Sequence, residues 1–124
     1  MLAMQVERGW KVATVAASTL VLVVLGGCAG AEAPEVPTDE AGVADPTLVE
    51  GRELWTAQCS RCHGGDASGG AGPDLQGPWP PDRQPGVDAM ATIVIEGRGA
   101  MPGFGASLSD EEVDAVVRYV REVL

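Results

Sequence analysis

An all-α fold is predicted for the folded part of this 124-residue chain, and three observations predict it. Ser109 and Glu112 form a capping box ahead of Val113, Val116, Val117 and Val120, an apolar stripe at helical spacing. Asp45 followed by Pro46 reads as an N-cap and a first helical position. Nothing in the chain alternates convincingly at a period of two. The first helix carries Leu48, Gly51, Leu54 and Trp55 on one face of "TLVEGRELWTAQC". Glycine inside a helix costs about 1 kcal/mol relative to alanine, so Gly51 predicts a close helix crossing. A middle helix is expected from about Val87 to Ile95, with Met90, Ile93 and Val94 as its stripe, ending at Gly97. The terminal helix begins at Ser109. Long Gly/Pro loops fill 64 to 86 and 97 to 107, giving three main helices.

The chain divides into three parts. Residues 1–28 have the form of an export signal: Arg8 and Lys11, the apolar run Val12 to Leu25, then "GGCAG". The run is short for a membrane span, which takes about 20 apolar residues. "LGGC", Leu25 to Cys28, resembles the bacterial lipobox, in which the cysteine is lipidated and becomes the new N-terminus. An uncleaved signal anchor and ordinary cleavage are the alternatives, and all three deliver the remainder outside the cytoplasm. Residues 29–45, Ala-, Pro- and acid-rich with almost no bulky apolar side chain, read as a flexible, self-repelling linker. Residues 46–124 form the expected domain, small enough to be marginal without a staple. The net charge of −10 argues against nucleic acid, since phosphate binding needs Lys/Arg clusters that are missing here.

The staple is written at Cys59-Ser60-Arg61-Cys62-His63, the attachment pattern of a c-type haem. Each thiol adds across one haem vinyl group, and His63, beside the second thioether, is held beneath the ring with a nitrogen aimed at the iron. Structural zinc wants four N/S ligands, and the domain offers three. A redox dithiol wants a preceding strand, where "ELWTAQ" reads helical. For the iron's other face, Met1 and Met4 go with the signal and Met90 belongs to a helical stripe. Met101, in the Gly/Pro loop "GRGAMPGFG", is the expected axial ligand.

From about residue 47 onward the domain resembles a class I monohaem cytochrome c of the bacterial type. "CSRCHGG", "GAGPDLQG", "EGRGAMPGF" and the terminal helix match that family's pattern in order. The resemblance implies the small cytochrome c fold around one covalent haem c. It implies Cys59 and Cys62 as thioether attachments, His63 and Met101 as iron ligands, and the Pro73 carbonyl as acceptor of the His63 Nδ1–H. First and last helices would cross at Gly51 and Trp55 against Val116 and Tyr119. "GPWPPDRQPGV", Gly77 to Val87, departs from the pattern in its proline content. Trp79 there is expected in the haem-pocket wall. Arg83 and Arg98 are candidates for haem propionates or simply solvated charges.

Function follows as an expectation. Closing both faces of the iron with His and Met raises its potential and leaves electron exchange at the haem edge as the task, not enzymatic turnover. The chain is expected to be an extracytoplasmic, membrane-tethered one-electron carrier. Its partners would be a quinol-oxidising complex and a terminal oxidase or reductase. A haem c subunit fixed in a larger oxidoreductase and an open-site gas-binding haem sensor are the alternatives. The acidic domain fits a basic docking site on a partner as well as it fits a merely solvated surface.

Overall fold

The computed structural model describes residues 30–77 and 85–124. The export signal with Cys28, and Trp79 and Arg83, lie outside the described residues. One helical run opens the domain: α1 (Pro46–Leu54), a π-helical stretch (Trp55–Cys59) and α2 (Ser60–His63) follow without a break. α3 (Val87–Glu96) and α4 (Asp110–Glu122) complete the set, and the described residues contain two isolated β-bridges but no strand. The fold is all-α, as the capping and spacing signals predict.

Both sequence-predicted caps form. Asp45 accepts the Thr47 N–H at 2.8 Å. It also takes an Arg118 guanidinium contact at 3.0 Å, and that arginine, with the Thr47 amide, holds its carboxyl below the usual range. The Ser109 hydroxyl accepts the Glu112 N–H at 3.2 Å, and the Glu112 carboxylate accepts the Ser109 N–H at 2.8 Å. These caps fix where α1 and α4 begin. The apolar face of α4 then buries Val113, Ala115, Val116, Val117 and Tyr119.

α1 crosses α4, and α3 packs against α4. At the crossing a Cβ on Gly51 would be driven into the Ala115 carbonyl and would stand 2.8 Å from Tyr119 Cβ. The closest approach is therefore to Ala115, one residue before the position expected from the family pattern. Trp55 and Tyr119 are fully buried beside this contact, with ring centroids 6.5 Å apart.

The expected free linker over 29–45 requires correction. Ala33 joins the buried cluster of Trp55, Ala67, Val116 and Tyr119, with Val36 packed beside it. The Tyr119 hydroxyl donates to the Pro34 carbonyl at 2.6 Å. Arg52 donates from Nε to the same carbonyl and from Nη2 to the Ala33 carbonyl, both at 3.0 Å, and pairs with Glu35. Next comes a turn whose Asp39 carboxylate accepts the Ala41 and Val43 amides, each at 2.9 Å. Composition misjudged this segment because what docks is a methyl group and two backbone carbonyls, not bulky side chains.

Gly51→Ala tests the crossing. Helix propensity alone favours alanine by about 1 kcal/mol, but forcing a methyl into packed backbone costs about 1–3 kcal/mol or more. The expected result is a lower denaturant midpoint for the haem-loaded protein with an unchanged slope. A raised midpoint would mean that the helices do not meet at Gly51.

Candidate haem site

The sequence Cys59-Ser60-Arg61-Cys62-His63 occupies the end of the opening helical run. The π-helical stretch closes with the Ser60 N–H donating to the Trp55 carbonyl. Wider helical turns of this kind often mark functional positions. Cys59 and Cys62 stand three residues apart in this helical backbone, on neighbouring positions of one side. Cys62 is exposed and Cys59 half-buried. Before haem attachment, desolvation pushes the Cys59 thiol up to about 11.

Gly64, at φ 85°, ends α2 and turns the chain back over the site. The returning loop satisfies the orphan carbonyls of the helix end. Gly69 N–H donates to the His63 carbonyl and Gly72 N–H to the Cys62 carbonyl, both at 2.7 Å. Pro73 follows, with its carbonyl 2.9 Å from His63 Nδ1. A carbonyl only accepts, so Nδ1 carries a proton here and Nε2 is the ring nitrogen left to bind a metal. Imidazole ligands are commonly oriented by such a bond.

The histidine is wedged from two other sides. A Cβ on Gly72 would stand 2.8 Å from the His63 ring, so only glycine lets the loop lie this close. Trp55 sits behind, its ring centroid 6.0 Å from that of His63, and its indole Nε1–H donates to the Gly65 carbonyl at 2.7 Å. His63 is consequently 8% exposed. Sequence reasoning singled out Cys59, Cys62, His63 and Pro73, which the structure gathers here. It missed the parts played by Gly65, Gly72 and the Trp55 indole, because a glycine or indole contact ten residues away in the chain leaves no local signal.

Met101 lies on the second loop and is half-buried. Arg98 and Met101 exchange backbone hydrogen bonds, both 3.0 Å, around a tight turn. The loop is pinned to the end of α3 by Phe104 N–H to the Val94 carbonyl at 2.9 Å and Gly105 N–H to the Ile95 carbonyl at 3.1 Å. Met90 is half-buried on α3, and Arg98 is exposed. Among the described residues, no three His, Cys, Asp or Glu side chains converge to hold a metal ion by themselves. The donor set is one imidazole oriented through Nδ1 and two thiols on one helix side. That fits covalent haem and does not fit a structural zinc site.

The comparisons agree with this chemistry. Residues 46–120 match the family model described as cytochrome c oxidase, cbb3-type, subunit III. Cytochrome c-551 of Bacillus subtilis (strain 168) is 31% identical over 103 residues, which cover 81% of this chain and 85% of that protein. The menaquinol:cytochrome c reductase cytochrome c subunit of Geobacillus thermodenitrificans is 41% identical over 76 residues, 59% of this chain and 28% of that one. Among solved structures, cytochrome cL of Hyphomicrobium denitrificans superposes with a TM-score of 0.52 at 26% identity. That superposition covers 62% of this chain and 47% of the cytochrome cL chain.

Fold and site thus define a small, all-α c-type haem protein. The chain belongs to the cytochrome c family, class I. Its cofactor is covalently attached haem c, with Cys59 and Cys62 in the Cys-x-x-Cys-His position.

Acid–organic extraction followed by intact mass measurement checks the attachment. The native protein should retain one haem per chain. In the Cys59→Ser, Cys62→Ser double variant all haem should leave with the organic phase. Retention of haem by that variant would place the covalent link elsewhere.

Proposed function

We propose that this chain is an extracytoplasmic one-electron carrier. It would be held at the membrane through Cys28 and pass electrons between a quinol-oxidising complex and a terminal oxidase or reductase. The observation that carries this reading is the His63–Pro73 contact, which presents a buried imidazole with Nε2 as the ring nitrogen left to bind a metal. The haem supplies one-electron exchange at its edge. The chain's own residues hold the group, orient the proximal donor and exclude competing ligands.

His63 is the proximal ligand on this reading, fixed in tautomer by Pro73 and in position by Trp55 and Gly72. Met101 would be the distal ligand, carried by a loop whose backbone is tied to α3 and to itself. Met90 is a packing residue of α3. With both faces held by protein donors, small molecules are kept from the metal, as suits a carrier and not an enzyme.

Support for the membrane and respiratory part comes from two directions. "LGGC" at Leu25–Cys28 has the form of a lipidation signal. A relative bears the name of a menaquinol:cytochrome c reductase cytochrome c subunit. No described helix is long and apolar enough to cross a membrane.

Paired methionine variants test the ligand assignment. Met101→Ala should abolish the methionine–iron charge-transfer band, lower the reduction potential as the soft sulfur is lost and admit cyanide. Met90→Ala should keep the band and cost about 2–5 kcal/mol of stability at most, less in proportion to its partial burial. The opposite pattern, with the band lost only in Met90→Ala, would overturn the assignment.

A further inference from the structure

The docked segment changes what a membrane attachment would do. Residues 31–36 are held by the Tyr119 hydroxyl and by two guanidinium donors of Arg52, while Ala33 is buried against Trp55 and Tyr119. Their start lies on the haem-attachment loop. A Cβ on Gly65 would be driven into the Ala31 carbonyl, so the chain runs directly over a glycine two residues beyond His63. The following residues are held too, by the Asp39 turn and by the Asp45–Arg118 pair at the entry to α1. Little slack remains between Ala31 and the domain.

Chain length sets the consequence. A free 17-residue linker from Cys28 to Asp45 would have a root-mean-square span of about 20–25 Å and a full stretch of about 55–60 Å. Two residues, Ala29 and Gly30, lie between Cys28 and Ala31, and three extended residue steps reach about 10 Å. The difference is large enough to decide between a swinging domain and a seated one.

We propose that residues 31–36 are a docking strap that seats the haem-attachment loop directly at the lipid surface, so that the domain is presented to its partners in one orientation. The inference rests on the reading of Cys28 as the lipid anchor. It replaces the swinging tether with a short leash starting beside Gly65. Glu32 and Asp66 lie in this region, so attraction to anionic lipid does not hold the domain down. Strap and leash do. Tyr119, whose hydroxyl donates to the Pro34 carbonyl, and Arg52 act as positioning residues.

The test uses the full-length, haem-loaded lipoprotein in phosphatidylcholine vesicles carrying a headgroup-linked fluorophore, which haem quenches by distance-dependent energy transfer. Three proteins are compared: the native chain, Arg52→Ala with Tyr119→Phe, and a chain with about eight Gly/Ser residues inserted between Gly30 and Ala31. The native protein should quench several-fold more strongly than either variant. A glutamate-specific protease should cut after Glu32 and Glu35 slowly in the native and insertion proteins and rapidly in the double variant. The insertion leaves every strap contact intact, so it keeps the test valid even if the double variant folds poorly. Equal quenching by native and insertion proteins overturns the seat, and rapid cutting of the native strap overturns the docking. The intact mass of the N-terminal peptide and its Cys28→Ser counterpart report separately on the anchor. A native mass without acyl groups defeats the anchor reading, and the membrane seat with it, whatever the protease shows.

Discussion

The missing side chain of Gly51 is the constraint on which the rest of the domain depends. Because α1 can lie against the Ala115 carbonyl, Trp55 and Tyr119, one turn further along each helix, meet and are buried together. Trp55 then reaches past the crossing. Its ring backs His63 and its indole N–H holds the Gly65 carbonyl, so the haem-attachment loop takes its position from a helix–helix contact well away in sequence. Tyr119 reaches the other way and fixes the Pro34 carbonyl of the strap. One close approach therefore sets both the proximal histidine and the course of the N-terminal chain.

This arrangement explains how so small a domain is ordered. Among the described residues the three largest fully buried side chains are Trp55, Tyr119 and Val117, which is little core for a chain so rich in glycine and proline. A covalent haem would add apolar bulk beside this small core. Both loops are tied to helix ends: Gly69 and Gly72 donate to the carbonyls of His63 and Cys62, and Phe104 and Gly105 donate to those of Val94 and Ile95.

What the sequence made legible was whatever is encoded locally. The Asp45 and Ser109 caps, the α4 stripe and the Cys-x-x-Cys-His run each depend on residues within a few positions of one another, and each is found where their spacing puts it. Gly51 was legible because a helical glycine needs a reason. The strap was not, since it docks through the carbonyls of Ala33 and Pro34, and backbone acceptors are the same in every composition. Gly65 and Gly72 were equally silent, being two of many glycines until the loop is folded onto Ala31 and His63.

The central claim is that this chain closes both faces of its haem iron with its own side chains and uses the group only to carry electrons. Carbon monoxide added to the native, fully reduced protein tests it most directly, because the gas binds ferrous haem wherever a face is open. The account predicts an unchanged visible spectrum at neutral pH, together with a single one-electron wave in a redox titration. A shifted spectrum showing stoichiometric carbon monoxide binding to the undenatured protein would contradict it and make the haem a ligand-binding site.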